Sequence, residues 1–243
     1  MKKYAIIGLP LGHSFSKKYF EQKFAQEGLS DCVFENHELQ RIEEVEHLFR
    51  DPELKGFCIT IPYKKAIIPY LSECSEEVQA MQACNCVQLK QGKRIGFNTD
   101  VVGFEKSFIT KLHKSDKKAL ILGTGGAAAA VCFVLQKLGI EYKFVSRSPH
   151  ADQFSYQDIK SADILQQYTV IINCSPVGTF PKEDQAPDLA YELLSDRHYL
   201  YDLVYNPAVT QFLHKGQLQG ARIQNGYPML TIQAEENWMN WNR

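Results

Sequence analysis

The chain has 243 residues, of which 44% are hydrophobic and 23% charged, and its formal net charge is -1 at pH 7. This composition is typical of a globular protein with one or two domains. It lacks the basic stripe that a nucleic-acid-binding protein needs, so no nucleic-acid partner is expected.

Strand and helix patterns alternate along the first part of the chain. The opening apolar run is too short for the core of a signal peptide, and no run approaches the roughly 18 apolar residues of a membrane span. We therefore expect a cytoplasmic protein without a membrane partner. The predicted segments are a strand at 3–8, a helix at 16–27, strands at 31–38, 57–61 and 84–89, and a strand at 94–97 that returns from a hairpin turn at Gln91 and Gly92.

The second part of the chain repeats the alternation, which is typical of an α/β fold with a mostly parallel sheet and helices on both faces. Its predicted segments are a strand at 119–122, a helix at 125–138, strands at 141–145, 169–172 and 199–204, and a helix at 229–241. We expect two domains. They are an N-terminal α/β domain of residues 1–99, with a C-terminal helix 227–243 packing back toward it, and a Rossmann-like, doubly wound domain of residues 100–226.

Seven cysteines are present, and several lie in apolar, strand-like runs. An odd number in such runs favours buried, reduced thiols over a disulfide framework. Cys84 and Cys86 flank Asn85, but no second Cys/His cluster stands at ligand spacing, so no metal site is expected.

A glycine-rich turn follows the predicted strand at 119–122 and precedes a helix. Gly123 allows a tight turn, Gly125 allows the backbone to approach a pyrophosphate, and a helix N-terminus offers free N–H groups to phosphates. Such a turn is often only structural, but its place between a strand and a helix favours dinucleotide binding. The candidate phosphate-binding residues are Gly123, Thr124, Gly125, Gly126 and Ala127.

The end of the next predicted strand distinguishes between two cofactors. An NAD site usually carries an acidic residue there for the ribose hydroxyls, whereas this chain has Ser146, Arg147 and Ser148. The guanidinium of Arg147 can bind a 2′-phosphate, with donors from the two serines. The alternative is a surface arginine in a turn before Pro149. The position favours NADP.

Four polar clusters follow strand ends in the first domain. Each has a simple structural explanation as a helix cap or a turn. Ligands of open α/β sheets bind beyond the carboxyl ends of the strands, however, so a shared binding site is the better hypothesis. The clusters are residues 12–16, 60–64, 83–86 and 96–103.

Taken together, these motifs resemble the shikimate dehydrogenase family. The family patterns Val-Thr-x-Pro-x-Lys, Ala-Val-Asn-Thr and Asn-Thr-Asp-x-x-Gly correspond to residues 59–64, 83–86 and 98–103. The likeness extends in order over nearly the whole chain. Its other parts are Gly8-Leu9-Pro10, His13-Ser14-Phe15-Ser16, the glycine turn, Ser146-Arg147-Ser148, residues 172–178 and 201–210, and Gly226 with residues 229–233.

The resemblance implies reversible, NADP-dependent oxidation of shikimate to 3-dehydroshikimate, a step of chorismate and aromatic amino-acid biosynthesis. It implies that Lys64 and Asp100 are the acid–base pair. It further implies that Ser14, Ser16 and Tyr205 bind the substrate carboxylate, and that Thr60, Asn85, Asp100 and Gln233 bind the ring hydroxyls. Leu203 and Gly226 join the cofactor-binding residues on the same ground. The protein is expected to be a monomer or a homodimer.

Three positions depart from the family pattern. Cys58 stands where the family usually has Asn, Cys86 where it has Thr, and Ala129 where an Arg often follows the glycine turn.

Alternative functions remain open at this point. One is a quinate/shikimate dehydrogenase of relaxed substrate or cofactor specificity; the paired serines, Ser14 and Ser16, fit shikimate better. A folate or amino-acid dehydrogenase of similar build is less favoured, again because of those serines. A ligand sensor without catalysis is disfavoured because Lys64 and Asp100 are both present and nothing resembles an output domain.

Overall fold

A computed structural model describes residues 1–12, 15–125 and 128–243 of the chain. These residues form two compact units. The first is Met1–Val102 together with Gln233–Arg243, and the second is Gly103–Ile232. The α/β class expected from the sequence is confirmed.

The first unit is built on a mixed sheet. Its strands are β1 (Lys2–Gly8), β2 (Cys32–Glu38), β3 (Leu54–Ile59), β4 (Glu73–Cys74), β5 (Cys86–Lys90) and β6 (Lys93–Phe97). Their order is β2-β1-β3-β5-β6-β4. β5 runs antiparallel to both β3 and β6, and the other pairings are parallel. Three of the five strand pairings in this sheet are thus parallel, and both antiparallel pairings involve β5.

The antiparallel pair arises from the hairpin predicted at Gln91 and Gly92, which is confirmed. Both residues have positive φ, 53° and 76°, as required at the two central positions of a tight hairpin turn. Lys90 pairs with Lys93 across that turn. The sequence signal was therefore sufficient to locate the hairpin, although not the places of its two strands in the sheet.

Helices cover the sheet of the first unit on both faces. They are α1 (Phe15–Gln26), α2 (Val45–Leu48) and α3 (Glu76–Met81), with the start of α4 (Thr99–Phe108) and the end of α8 (Tyr227–Trp241). Strand alternation sends Ala5 and Ile7 into one core and Tyr4 and Ile6 into the other. Trp241 belongs to the second of these cores, where its ring stacks on Tyr4 at 5.1 Å.

The second unit is a fully parallel sheet of the doubly wound type. Its strands are β7 (Lys118–Leu122), β8 (Glu141–Ser146), β9 (Phe154–Ser155), β10 (Val170–Asn173), β11 (Tyr199–Asp202) and β12 (Arg222–Gln224). Their order is β12-β11-β10-β7-β8-β9, with every pair parallel. The chain thus winds outward from β7 in one direction and from β10 in the other. The expected Rossmann-like topology, whose ligands bind at such a switch point, is confirmed.

Helices of the second unit are α5 (Ala128–Lys137), α6 (Ala162–Gln167) and α7 (Gln211–Leu218), with the remainders of α4 and α8. A buried ion pair fixes one end of the sheet. Arg222 donates from both terminal nitrogens to the two carboxylate oxygens of Asp116, at 2.9 and 3.0 Å. Burial favours a higher pKa for Asp116, but these bonds outweigh it and hold the pKa below its usual value.

Several predicted boundaries shift. The strand predicted at 57–61 ends at Ile59, because Pro62 carries no N–H and restricts the residue before it. The strand predicted at 199–204 ends at Asp202, whose side chain accepts the backbone N–H of Val204 at 3.0 Å and turns the chain. The strands β4, β9 and β12 have only two or three residues, too few to leave a periodic signal.

All seven cysteines are free thiols, and Cys32, Cys58, Cys84 and Cys86 are buried. The described residues contain no group of three or more His, Cys, Asp or Glu arranged to bind a metal. No helix within 1–12, 15–125 and 128–243 is both long and apolar enough to cross a membrane.

Candidate functional site

The first unit brings a lysine and an aspartate together at the carboxyl ends of its strands. Nζ of Lys64 donates to Oδ2 of Asp100 at 2.6 Å, although the residues are 36 positions apart. Lys64 lies in the turns beyond β3, and Asp100 lies in the first turn of α4 after β6. Their side chains are 25% and 11% exposed, so the pair is shielded from solvent without being sealed from a ligand.

Backbone and side-chain bonds hold the segments that carry this pair. The backbone N–H of Cys84 donates to the carbonyl of Lys64 at 2.8 Å. The Asn98 amide donates to the carbonyl of Ala83, also at 2.8 Å. Two of the four polar clusters, 60–64 and 96–103, are thus tied to the third, 83–86, as the shared-site hypothesis requires.

Asn85 has a fixed orientation beside this pair. Its Oδ1 accepts the backbone N–H of Thr99 at 2.7 Å. Because a backbone N–H only donates, the atom facing Thr99 must be the oxygen, and Nδ2 is the atom directed toward Gln233, 3.5 Å from its Oε1. Asn85 therefore offers a donor, and Gln233 an acceptor, at the point where they meet.

Ser16 and Thr60 belong to the first unit, and Thr60 directly follows β3. Ser16 is partly buried in the first turn of α1 and interacts with the Cys58 thiol. Burial raises the pKa of that thiol to about 12, against opposing hydrogen bonds that include Ser16, so the thiol stays neutral. The backbone N–H of Thr60 donates to the carbonyl of Ile7 at 3.0 Å. Ser14 lies outside the described residues.

Gly8 is required where β1 meets Thr60. A Cβ at position 8 would lie 2.4 Å from the Thr60 methyl and 3.2 Å from the carbonyl oxygen of Ile61. The missing side chain thus lets the end of β1 approach the segment after β3. This glycine belongs to the turn motif noted in the sequence, and its role is steric.

The second unit contains a cavity of about 870 Å³ at the switch point between β7 and β10. Five of the predicted cofactor-binding residues line it, namely Gly123, Thr124, Gly125, Ser146 and Arg147. Gly126 and Ala127 lie outside the described residues. Ser148, Leu203 and Gly226 lie outside the cavity lining.

The two described glycines of the turn have different roles. Gly123 has a φ of +98°, and a Cβ there would lie 3.3 Å from the backbone nitrogen of Ser175. Gly123 is therefore required by the turn itself. A Cβ at Gly125 would meet nothing within 4 Å, so this glycine leaves open space beside the cavity. That space fits the close approach of a pyrophosphate.

Arg147 is exposed at the end of β8, within the cavity lining. Burial raises the pKa of Tyr156, and the charge of Arg147, which lines the same cavity, opposes that rise. The backbone N–H of Ser148 donates to the Ser146 hydroxyl at 3.2 Å and shapes the turn. Residues 146–148 carry no carboxylate, and Arg147 is the cation among them.

Sequence reasoning missed a buried carboxylate that supports this cavity. Asp202 is fully buried at the end of β11, accepts the Asn173 amide at 3.0 Å and accepts the Thr210 hydroxyl at 2.6 Å. Asn173 in turn accepts the backbone N–H and the hydroxyl of Ser175, at 3.0 and 2.6 Å. Burial raises the pKa of Asp202 to about 6. The sequence did contain a signal for this network, since Asn173 is the last residue of the apolar strand β10 and Asp202 is the last residue of the apolar strand β11.

Gly226 and Leu203 are close-packed. A Cβ at Gly226 would lie 2.2 Å from the carbonyl oxygen of Leu203. The backbone N–H of Gly226 donates to the carbonyl of Val204 at 3.1 Å. Tyr205, two residues after Leu203, is 38% exposed. The binding roles of all three residues stay predictions.

Comparison with known proteins gives the family. The profile of the shikimate dehydrogenase substrate-binding domain matches residues 6–87. The shikimate dehydrogenase (NADP(+)) of Caldicellulosiruptor bescii is 34% identical, over 99% of this chain and 89% of its own. The enzyme of the same name from Nostoc sp. is 36% identical, over 94% of this chain and 86% of its own.

A solved structure extends the likeness to three dimensions. Shikimate 5-dehydrogenase of Thermus thermophilus, solved in complex with NADP(H) and shikimate, is 27% identical and has a TM-score of 0.84. The alignment covers 99% of this chain and 93% of that one. With relatives above 30% identity along nearly its full length, the chain belongs to the shikimate dehydrogenase family.

Proposed function

We propose that this protein is an NADP-dependent shikimate dehydrogenase that interconverts shikimate and 3-dehydroshikimate. The observation that carries the proposal is the Lys64–Asp100 pair, which joins an ammonium and a carboxylate at 2.6 Å. Most of the proposed substrate-binding residues belong to the first unit, and the proposed cofactor-binding residues belong to the second.

The residues of the second unit fit NADP. The turn at Gly125 leaves room for a pyrophosphate, and Arg147 meets the 2′-phosphate with charge-assisted hydrogen bonds. Asp188, another lining residue, is paired with Lys160 at 2.8 Å. NADP held there would supply the hydride acceptor for the carbinol carbon of shikimate, and its reduced form would supply the hydride for the reverse reaction.

Lys64 handles the proton of the reacting hydroxyl. During oxidation its amine accepts the proton as the C–H hydride leaves, and the carbinol becomes a ketone. During reduction its ammonium donates the proton to the carbonyl oxygen. Asp100 accepts a hydrogen bond from Nζ, which fixes the position of the lysine. The short distance between the two groups means that the lysine is already oriented when the substrate enters.

The remaining polar groups select the substrate. Asn85 presents an N–H and Gln233 a carbonyl, so a ring hydroxyl can accept from one and donate to the other. A substrate lacking that hydroxyl leaves buried polar groups unpaired, which costs more than losing an apolar contact. Thr60 binds a further hydroxyl, and Ser14, Ser16 and Tyr205 bind the carboxylate.

The test is to mix the purified protein with shikimate and NADP and follow the absorbance of the reduced nicotinamide. Growth of that absorbance supports the proposal, whereas shikimate binding without turnover would support the ligand-sensor alternative. The same assay with quinate, and with NAD, measures specificity. Both relatives reported above carry the NADP-dependent name, which favours strict use of shikimate and NADP. A monomeric or homodimeric state and a cytoplasmic location stay predictions.

A further inference from the structure

A buried asparagine outside the predicted site connects several of its residues. Asn237 lies on α8 one turn beyond Gln233 and is only 4% exposed. Its Oδ1 accepts the Thr99 hydroxyl at 2.7 Å, and its Nδ2 donates to the Cys58 sulfur at 3.2 Å. One side chain thus links the helix that carries Gln233 to the ends of β3 and β6.

The bond to Thr99 determines what Asn85 offers to a ligand. The Thr99 hydroxyl has one proton and two neighbouring acceptors, Asn237 Oδ1 at 2.7 Å and Asn85 Oδ1 at 3.2 Å. The shorter bond goes to Asn237. The backbone N–H of Thr99 is held on Asn85 Oδ1 at 2.7 Å by the same arrangement, so Nδ2 of Asn85 remains directed toward Gln233.

The bond to Cys58 secures the other side of the network. Cys58 is buried and its thiol is neutral, so its sulfur is a weak acceptor beside a strong amide donor. Cys58 also interacts with Ser16, a candidate carboxylate-binding residue. A continuous line of polar contacts therefore ends at Gln233. It runs through Ser16, Cys58, Asn237, Thr99 and Asn85.

We propose that Asn237 is a positioning residue for substrate recognition. It holds Thr99, and through it Asn85, so that a donor and an acceptor face one ring hydroxyl of the substrate. The inference rests on the proposed function, because it assigns Asn85 and Gln233 to that hydroxyl. Asn237 itself is not assigned a contact with the substrate or the cofactor.

The experiment compares Asn237→Ala with Asn240→Ala. Asn240 is a suitable control because it lies on the same helix, is 3% exposed and has a side-chain oxygen without a hydrogen-bond partner among the described residues. Asn237→Ala should raise KM for shikimate about tenfold, the effect of losing one well-oriented hydrogen bond, with a smaller change in kcat and an unchanged KM for NADP. Asn240→Ala should leave both KM values unchanged.

A double variant separates positioning from simple loss of stability. Cys58→Asn in the Asn237→Ala background places an amide from β3 in the space that alanine leaves next to Thr99. It should recover most of the lost affinity for shikimate. Thermal unfolding gives the midpoint temperature of each variant, which is compared with its KM for shikimate. Recovery of KM without recovery of the midpoint temperature supports positioning.

The outcomes are distinct. If the unmodified protein neither binds nor oxidises shikimate, the proposed function fails and this inference fails with it. If the unmodified protein turns over shikimate but Asn237→Ala and Asn240→Ala have the same KM, only the positioning role is overturned. Equilibrium binding of shikimate, measured by calorimetry on the same variants, gives the result independently of turnover.

Discussion

The ammonium of Lys64 donates to the carboxylate of Asp100 at 2.6 Å, and the two side chains reach this position from different strand ends. Replacing Lys64 by alanine removes the proton carrier but leaves Asn85 and Gln233 in place. We expect kcat to fall by about 100-fold to 10,000-fold, with little change in KM for shikimate.

Steady-state kinetics in both directions measure this effect. Lys65→Ala is the matched control, since Lys65 is the next residue and is exposed. It should keep nearly full activity. A Lys64 variant whose main defect is a raised KM would assign the lysine to binding alone.

Arg147 should discriminate between the two nicotinamide cofactors. Arg147→Ala removes a charge-assisted contact that only NADP makes, so KM for NADP should rise about 10-fold to 100-fold while KM for NAD changes little. Arg197, an exposed arginine of the same unit outside the cavity lining, provides the control substitution. If Arg147→Ala raised KM for NADP and for NAD equally, Arg147 would have no role in binding the 2′-phosphate.

The two glycines of the cofactor turn should respond differently to alanine. Gly125→Ala adds a methyl group into space with no protein atom within 4 Å, so the folded protein should be as stable as before. The methyl occupies the approach of the pyrophosphate, and KM for NADP should rise. Gly123→Ala forces a φ of +98° on an alanine and should lower the unfolding temperature. Loss of stability at Gly125 with unchanged NADP affinity would contradict this assignment.

Asp202 should make stability depend on pH in a defined direction. Burial raises its pKa to about 6 in the folded state, above the unfolded value of about 3.9. The folded state therefore binds the proton of the Asp202 carboxyl more tightly than the unfolded state does. The stabilisation that this proton binding contributes is present below pH ~3.9 and is lost as the pH rises through ~6. Asp202→Asn should gain stability relative to the unmodified protein across that window, by roughly 3 kcal/mol.

Thermal unfolding at several pH values tests this prediction. Asp158 provides a control of opposite sign, because hydrogen bonds from the Ser155 backbone and hydroxyl hold the pKa of Asp158 below its usual value. Asp158→Asn should lose stability relative to the unmodified protein as the pH rises through the acid range. If the difference in unfolding temperature between Asp202→Asn and the unmodified protein stays constant with pH, a raised pKa at Asp202 is excluded.

The sequence was most informative where a local pattern determines the structure. The glycines after β7 indicated a dinucleotide fold because Gly123 needs a positive φ and Gly125 needs an open side, both of which are local requirements. The hairpin at Gln91 and Gly92 was predictable for the same reason. Lys64 and Asp100 were predicted from the likeness to family motifs, because no hydrophobic periodicity relates these two residues.

Other features depend on distant packing and could not be read from the chain. The raised pKa of Asp202 results from complete burial beneath neighbouring strands. The bridge from Asn237 to Cys58 joins residues 179 positions apart, and neither residue type suggests the other. The insertion of β5 between β3 and β6 likewise follows from tertiary pairing, not from the pattern of either strand.

The first unit is assembled from two separated stretches of the chain, and this has a consequence for the order of folding. Ala234, Trp238 and Trp241 complete the core around Tyr4 and Phe20, although the whole second unit lies between them along the sequence. The second unit is one continuous stretch and can complete its own core without residues of the first. We therefore expect the contacts of α8 with Tyr4 to form later than the core of the second unit, because closing a longer loop costs more conformational entropy.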